Sequence, residues 1–316
     1  MSKAPTDGRI RWAAVFALVF VGIWSGASSA SACGGKFLLK FGGDWSGAGK
    51  LSAPGDIAID SKGNAWVLDT GHNRVQKFNS SGELLLQLGS KGSGNGQFSS
   101  PTGIAVDAED DVWVASASTN ARVQEFSSEG TFKQVWSAPG PAFLTGIAID
   151  SGGKVWVTGT GVFGTEPKVV KLTTAGETIL EFGAEGTGNS QFKSPQDIAA
   201  DSEGNVLVAD TNNHRVQEFN SSGEFVRKYG SEGTGNGQFK SPKGLTVDAE
   251  GRVWVADTGN NRMQRFSSKG TYQAQFGSGG PNDAQFNEPQ GIAVDSSGNI
   301  WVADTGNDRV QKFECL

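Results

Sequence analysis

The stretch "PKGLTVDAEGRVWVADTGNNRMQRF", Pro242 to Phe266, decides the fold because variants of it occur six times along the chain. The aspartate that ends its first hydrophobic segment recurs at six positions: Asp60, Asp107, Asp150, Asp201, Asp248 and Asp295. Successive members of this set are 47, 43, 51, 47 and 47 residues apart. Self-similarity at such a period indicates a solenoid, a propeller or an array, and it also accounts for the high glycine content.

Each repeat contains four short β-type segments, a to d, which in the fourth copy read "DIAAD", "NVLVAD", "RVQEF" and "FVRKYG". Glycine, asparagine, aspartate and serine separate them, which predicts an antiparallel meander. Because one four-stranded sheet cannot bury both of its faces alone, the sheets must stack on their neighbours. Five copies carry tryptophan at the same strand-b position, where we expect packing between sheets: Trp66, Trp113, Trp156, Trp254 and Trp301.

The two ends of the repeat region complete each other. The segment "GKFLLKFGG" from Gly35 resembles a strand d with no preceding a, b or c, and the last segment, "RVQKFECL", ends on a strand c. A ring whose last sheet combines both pieces fits every segment. The sequence therefore predicts an all-β, six-bladed β-propeller of four-stranded antiparallel blades, closed by the N-terminal strand d joining the C-terminal blade.

The repeats resemble the NHL repeat. Pro289 to Phe313, "PQGIAVDSSGNIWVADTGNDRVQKF", is a nearly ideal copy, and the resemblance extends from Phe37 to Phe313. It implies a propeller fold. NHL propellers serve as protein-binding, RNA-binding and catalytic modules, so the resemblance alone does not specify an activity.

Residues 1–32 have the features of a secretory signal peptide. Three basic residues are followed by thirteen apolar ones, Trp12 to Trp24, and by the small-residue segment "SGASSASA". An uncleaved anchor is disfavoured because a membrane-spanning helix needs about 20 apolar residues. We therefore predict an exported protein, periplasmic, cell-surface or extracellular, with a propeller domain at residues 33–316 and no transmembrane helix in the mature chain.

The chain has two cysteines, Cys33 and Cys315. When the terminal fragments are aligned on the first repeat, both fall at the Ser80 position, so the two thiols should lie side by side. In an oxidising compartment this predicts a disulfide that closes the ring. The alternative is lipidation of Cys33, because "ASAC" loosely resembles a lipoprotein cleavage site, although it would leave Cys315 without a partner.

The charge balance limits the classes of partner. The net charge is −6, and it becomes −8 when residues 1–32 are removed. Nucleic-acid binding needs a basic surface, so it is disfavoured. We expect a monomer that binds a protein, a peptide or a glycan.

Paired charges flank the turn between strands b and c in four repeats. Because they recur, we interpret them as clamps of the turn and not as four active sites. The pairs are Asp69/Arg74, Asp210/Arg215, Asp257/Arg262 and Asp304/Arg309.

Departures from the repeat are the better candidates for function. Strands alternate in direction, so the b–c turns and the d–a joins lie on one face of the disc. There, repeat 2 has "SASTNAR" in place of the Asp-Thr-Gly-Asn turn, repeat 3 has the longer "GTGVFGTEPK", and the join between them has lost its glycine-rich segment. Neutral drift in loops explains the same pattern. The candidate ligand-binding residues are Ser116, Ser118, Thr119, Asn120, Thr160, Phe163, Thr165, Glu166 and Lys168.

The sequence presents no recognisable catalytic constellation, zinc-binding spacing or cofactor motif. Propeller lyases that resemble this family, such as the peptidyl-hydroxyglycine amidating lyases, hold zinc with three histidines, and this chain has only His72 and His214. The sequence therefore favours a non-catalytic binding propeller. The alternative is a lyase or lactonase-like hydrolase with a divalent cation, such as calcium, near the central channel, for which the irregular carboxylates are Asp44, Glu166 and Asp283.

Overall fold

The computed structural model describes residues 34–43, 47–117, 121–137, 143–160 and 166–315. Six four-stranded antiparallel sheets form the blades. Their innermost strands contact one another in a closed cycle. The predicted six-bladed β-propeller is confirmed.

The strands of the first three blades follow the predicted order a to d. β1 (Lys36–Gly42) precedes them in the chain and belongs to the last blade. Blade 1 comprises β2 (Pro54–Ile59), β3 (Ala65–Asp69), β4 (Arg74–Phe78) and β5 (Leu84–Leu88). Blade 2 comprises β6 (Pro101–Val106), β7 (Val112–Ser116), β8 (Arg122–Phe126) and β9 (Phe132–Ser137). Blade 3 comprises β10 (Phe143–Ile149), β11 (Val155–Thr160), β12 (Lys168–Leu172) and β13 (Thr178–Phe182).

The second half of the ring repeats this arrangement, with a short parallel pair of strands in two of the joins. The first pair is β14 (Ala184–Glu185) and β15 (Gln191–Phe192). Blade 4 comprises β16 (Asp197–Ala200), β17 (Val206–Asp210), β18 (Arg215–Phe219) and β19 (Phe225–Tyr229). Blade 5 comprises β20 (Leu245–Val247), β21 (Val253–Asp257), β22 (Arg262–Phe266) and β23 (Tyr272–Phe276), followed by the pair β24 (Ser278–Gly279) and β25 (Gln285–Phe286). Blade 6 comprises β26 (Ile292–Val294), β27 (Ile300–Asp304) and β28 (Arg309–Glu314), completed by β1.

β1 closes the ring by pairing with β28. The register runs antiparallel from Lys36 opposite Glu314 to Gly42 opposite Arg309. On this sheet the Phe313 ring is fully buried and lies 4.9 Å from Phe276 of blade 5, between ring centroids. The first and last segments of the repeat region therefore share one blade and one core.

The hydrophobic core consists of interfaces between neighbouring blades. The strand-b tryptophans are at most 1% exposed, and each packs between two sheets, as Trp254 does against Phe286 of the next blade's join. Their indole N–H groups donate to the aspartate that ends strand a, at 3.0 Å from Trp254 to Asp248. Tryptophan suits this position because its ring is buried while its indole N–H keeps a hydrogen-bond partner.

Aromatic plugs seal the outer ends of these interfaces. Phe98, Phe192, Phe239 and Phe286, each in a join between strand d and the next strand a, are fully buried. The glycine that ends strand d makes room for the plug, because a Cβ atom at Gly230 would lie 2.4 Å from the Phe239 ring. Gly230 also has a φ of +95°, which glycine adopts without strain.

The two faces of the disc differ in what they carry. The b–c turns and d–a joins form one face, here called the clamp face, and the a–b and c–d turns form the other, here called the cap face. Four b–c turns contain a short 3-10 turn, at Thr70–His72, Thr211–Asn213, Thr258–Asn260 and Thr305–Asn307. Within the described ranges no helix has the length and apolar character needed to cross a bilayer.

Ring closure gives the first prediction. Phe313→Ala should lower the free energy of unfolding by about 3–5 kcal/mol, because it leaves a cavity in the core between blades 5 and 6, against which Phe37 of the closing strand packs. Leu38→Ala on the same closing strand is the control, since Leu38 is 40% exposed, and it should change that free energy by about 0.5 kcal/mol or less. Urea unfolding followed by tryptophan fluorescence measures both, and equal effects of the two substitutions would contradict this description of the ring.

Candidate functional site

The Asp–Arg pairs bind the b–c turns to the glycine-rich joins. In blade 5 the buried Asp257 accepts from Arg262 Nε at 2.7 Å, from Gln264 Nε2 at 3.0 Å and from the Lys240 backbone N–H at 2.7 Å. The remaining guanidinium nitrogens of Arg262 donate to three carbonyls of the preceding join. Asp69, Asp210 and Asp304 make the same three contacts, so all four clamps are built alike.

The two histidines serve the same turns. His72 Nδ1 lies 2.9 Å from a carboxylate oxygen of Asp69, and His214 Nδ1 accepts from the Ser241 backbone N–H at 3.0 Å. Each imidazole stands at the edge of a clamp, and the two belong to different blades. This arrangement gives both rings a structural role in the turn.

A cavity of about 170 Å³ opens on the clamp face at the mouth of the central channel. All six blades contribute to its wall, which we call the channel mouth: Ala53, Gly55, Asp56, Thr70, Pro101, Thr102, Thr145, Gln196, Asp197, Lys243, Gly244, Gln290, Gly291 and Thr305. Its threonine hydroxyls are engaged in the frame, as Thr305 Oγ1 donates to the Pro54 carbonyl of the next blade at 2.8 Å. Within the described part of the chain, the side chains of Gln196, Lys243 and Gln290 form no hydrogen bond, so they are available to a ligand.

Two aspartates form the floor of the channel mouth. Asp56 accepts from the Ile57 N–H of its own blade and from the Ile104 N–H of the next, at 2.8 and 2.9 Å. Asp197, in blade 4, repeats this arrangement with Ile198 and Leu245. A second cavity of about 200 Å³ continues beyond them along the inner strands, and both aspartates line it too. The pair therefore lies at the neck between two halves of the channel.

Burial shifts the protonation of this pair. Removal from water raises the pKa of Asp56 from its ordinary value of 3.8 to about 7, although its two backbone N–H donors act in the opposite direction. Burial also raises the pKa of Asp197, and repulsion from Asp56 raises it further. Both shifts therefore favour the neutral, protonated form of the two carboxyl groups in the neck. Burial likewise lowers the pKa of Lys243.

Asp56 and Asp197 were not among the candidates predicted from the sequence, because departures from the repeat were sought only in the loops. Their position carries glycine in the other four repeats, at Gly103, Gly146, Gly244 and Gly291. The glycines are required by close approach, since a Cβ atom at Gly291 would lie 2.5 Å from the Asp56 Cα atom and one at Gly146 would lie 2.7 Å from the Asp197 Cα atom. The alternation of aspartate with two glycines, twice around the ring, was the available signal.

The structure separates the candidate ligand-binding residues that it describes. Ser116 is fully buried in blade 2. Lys168 pairs with Glu181 at 2.6 Å, and Glu166 accepts from the Glu185 backbone N–H. Thr160 lines a cavity of about 210 Å³ between blades 3 and 4, here called the rim pocket, with Pro167, Glu185, Phe192, Lys193, Ser194 and Asn212. Ser118, Thr119, Asn120, Phe163 and Thr165 lie outside the described residues.

Of the irregular carboxylates predicted as cation ligands, the two that the structure describes form separate contacts. Asp283 pairs with Lys40 at 2.6 Å, Glu166 contacts the Glu185 backbone in the join between blades 3 and 4, and Asp44 is outside the described residues. In the part of the chain that the structure describes, no three His, Cys, Asp or Glu side chains are grouped as metal ligands.

The raised pKa of Asp56 predicts a specific pH dependence of stability. Between pH 4 and 7 the folded state holds a proton that the unfolded chain releases, so this contribution to stability is complete below pH 4 and is lost as the pH rises through about 7. Asp56→Asn should therefore flatten the fall of Tm across this range, whereas the exposed Glu203→Gln should leave it unchanged. Thermal unfolding at several pH values measures both, and parallel curves for Asp56→Asn and wild type would contradict the assignment.

Comparison with known proteins identifies the repeats. The family model for the NHL repeat matches residues 51–78, 192–219, 239–266 and 286–313, which are the four repeats with a complete clamp. NHL repeat-containing protein 3 of Homo sapiens is 31% identical over 107 residues, covering 31% of this chain and 31% of that protein. The match thus spans about a third of the length of the curated relatives.

Solved structures share the fold at low identity. A streptogramin B lyase is 18% identical with a TM-score of 0.62, covering 90% of this chain and 99% of that chain. The virginiamycin B lyase of Staphylococcus aureus is 16% identical with a TM-score of 0.58, covering 88% and 99%. At this identity the likeness concerns the fold alone. The chain therefore contains NHL repeats, and its six blades form a β-propeller.

Proposed function

We propose that this propeller is a binding module that takes its ligand on the clamp face, with the channel mouth as the main contact. The observation that carries the proposal is the convergence of all six blades on one polar cavity in which Gln196, Lys243 and Gln290 are not used by the fold. Concave sites with a few convergent polar groups are the usual location of ligands in proteins.

The size of the channel mouth indicates how a partner binds. A volume of about 170 Å³ accommodates one side chain, one chain end or part of a sugar ring, and not a whole macromolecule. The two amides donate and accept hydrogen bonds, and the Lys243 ammonium adds a positive charge. We therefore propose a protein, peptide or glycan partner that inserts one protruding polar group.

The rim pocket offers a second contact on the same face. It lies between blades 3 and 4, where repeat 3 departs from the family pattern, and Thr160, Lys193 and Asn212 provide polar groups there. A partner anchored at the channel mouth would extend over this edge. This proposal keeps the predicted role of the repeat 3 loop and makes it subordinate to the central site.

The binding proposal is tested with Lys243→Ala. Peptide and glycan arrays probed with the wild-type chain supply ligands, and biolayer interferometry then measures their Kd. Lys243→Ala should weaken binding about tenfold, equivalent to about 1.4 kcal/mol, because it removes the one cation of the channel mouth.

The matched control is Lys269→Ala, which removes an exposed lysine from a c–d turn on the cap face and should leave the Kd unchanged. Equal binding by both variants would place the contact elsewhere. In that case, replacing residues 159–168 with the b–c turn of repeat 4 tests the rim pocket alone.

One observation favours a second candidate, a lyase or hydrolase. An acid with a pKa of about 7, as at Asp56, is suited to general acid–base catalysis at neutral pH. Conversion of an array ligand into products by the wild-type chain, lost in Asp56→Asn, would place this candidate ahead of the binding module.

We further propose that the chain is exported and that Cys33 and Cys315 form a disulfide. Residues 1–33 lie outside the described part of the structure. The β1–β28 register supports the proposal, because Lys36 lies opposite Glu314 and the segments that lead to both cysteines run side by side.

Mass spectrometry of the secreted protein checks both points. We expect a chain that starts at Cys33 and gains two hydrogens on reduction, and Cys315→Ser should lower its Tm because the ring loses its covalent closure. A mass increase by acyl chains on Cys33 would instead support lipidation, and a chain that retains residues 1–32 would contradict cleavage.

A further inference from the structure

Blade 2 contains an incomplete clamp. Ser116 stands at the end of strand b, where Asp69, Asp210, Asp257 and Asp304 stand in the complete clamps, and it pairs with Arg122 in the same register. Arg122 and Gln124 match the arginine and glutamine of those clamps. Ser99 stands seventeen residues before Ser116, at the position of the backbone donor. Blade 2 has therefore lost the acid and has kept the arginine, the glutamine and the backbone position that bind it, in a turn that is one residue longer than those of the complete clamps.

These groups are left without their acceptor. Gln124 is fully buried, and its Nε2 donates to the Gln97 carbonyl but lacks the second bond that Gln264 makes to Asp257. The Arg122 Nη atoms still donate to the carbonyls of Ser93, Gly94 and Gln97. Within the described ranges, Arg122 Nε has no carboxylate to bind. Ser116 Oγ, also fully buried, has no hydrogen-bond partner.

The charge of the arginine is also compensated differently in blade 2 and in the four complete clamps. The four clamp arginines are at most 8% exposed and are neutralised by an aspartate that is fully buried. Arg122 forms no salt bridge with a described residue, and burial lowers its pKa without an opposing charge to offset the effect. A partly buried guanidinium and three unused donors are costly, and the cost falls when an anion binds them.

Blade 3 provides the contrast. There glycine, lysine and valine replace all three side chains of the clamp, at Gly159, Lys168 and Val170, and Lys168 pairs with Glu181 instead. That blade retains no set of donors directed at a missing acid. The arrangement in blade 2 is thus distinct from a clamp that has been lost entirely.

We propose that the blade 2 clamp is an anion site that accepts a carboxylate group of the ligand in place of the missing aspartate. By analogy with Asp257, one carboxylate oxygen accepts from Arg122 Nε and Gln124 Nε2, and the other accepts from the Ser99 backbone N–H. The Ser116 hydroxyl donates a further hydrogen bond. A monoanion with two coplanar oxygens matches both the charge and the shape of the site.

This inference deepens the proposed function and rests on it only for the origin of the carboxylate. The clamps lie on the clamp face, so a partner bound at the channel mouth presents its acidic group from the same side. A free small carboxylate has the same chemistry. The two sources are separated by testing formate first and array ligands second.

The experiment is a formate titration of the full chain at constant ionic strength, followed by thermal unfolding and by NMR of the Ser99 amide. Formate should raise the Tm by at least about 3 °C at saturation and shift this amide, whereas chloride and the neutral methyl formate should not. Ser116→Asp supplies the carboxylate internally, so it should raise the Tm and abolish the response to formate. Arg122→Gln, which lacks the charge, should also abolish the response.

Asp210→Ser is the matched control, because it creates the same vacancy in blade 4. It should lower the Tm, and formate should restore part of the loss, which shows that the assay detects such a site. No saturable response of the wild-type chain would overturn the proposal, and so would an undiminished response in Arg122→Gln.

Array ligands then separate this proposal from the proposed function. Competition by formate, together with weaker binding by Ser116→Asp, supports a ligand carboxylate in blade 2. If formate binds, but array ligands neither compete with formate nor bind more weakly to Ser116→Asp, a ligand carboxylate is not the occupant of the blade 2 site. The channel-mouth proposal is then still decided by Lys243→Ala.

Discussion

Every blade of this protein depends on a neighbour, because a four-stranded sheet with two apolar faces must be covered on both sides. The ring satisfies this requirement only when it closes, and β1 supplies the last strand. At the closing interface, Phe41 of β1 packs against Phe78 at 4.4 Å and against Trp301, so one aromatic cluster joins blades 6 and 1. No blade then presents a bare face to water. Since the core requires only the strands and the plugs, the clamp face is free to vary in sequence.

The clamps hold the loops of the clamp face in fixed positions, as packing between blades does for the strands. One buried carboxylate accepts hydrogen bonds from an arginine, a glutamine and a backbone N–H, while the arginine donates to two or three carbonyls of the join. Glycine-rich joins, which are otherwise free in conformation, are fixed in this way to within hydrogen-bond distances. The acid is the single anionic member of each set. Its loss in blade 2 therefore has a different consequence from the loss of any other member, because it leaves a cation and several donors that all require the same kind of partner.

The positions shared by most repeats could be predicted from the sequence, whereas the role of the two neck aspartates could not. The strands, the tryptophans between blades and the four Asp–Arg pairs could be read because six aligned copies show each position several times. Asp56 and Asp197 are ordinary residues in a short strand a, and only the ring brings them to one neck. Ser116 was predicted from its loop to contact a ligand, and β-sheet register places its buried side chain inside the blade 2 clamp, where we propose that a carboxylate binds. The direction of a residue at the end of a strand depends on register, which a departure from a repeat does not reveal.

A six-fold scaffold becomes specific where its symmetry is broken. The position before each neck residue carries Gly55, Thr102, Thr145, Gln196, Lys243 and Gln290 in turn, so a group that enters the channel mouth meets amides and an ammonium on one side and small side chains on the other. The neck itself repeats after three blades, with acids in blades 1 and 4. Blades 2 and 5 are opposite each other in a ring of six, and they carry Arg122 and Lys243, neither of which forms a salt bridge with a described residue. On a chain with net negative charge, two such cations at opposite positions favour anionic groups of a ligand at these points and orient the ligand across the face.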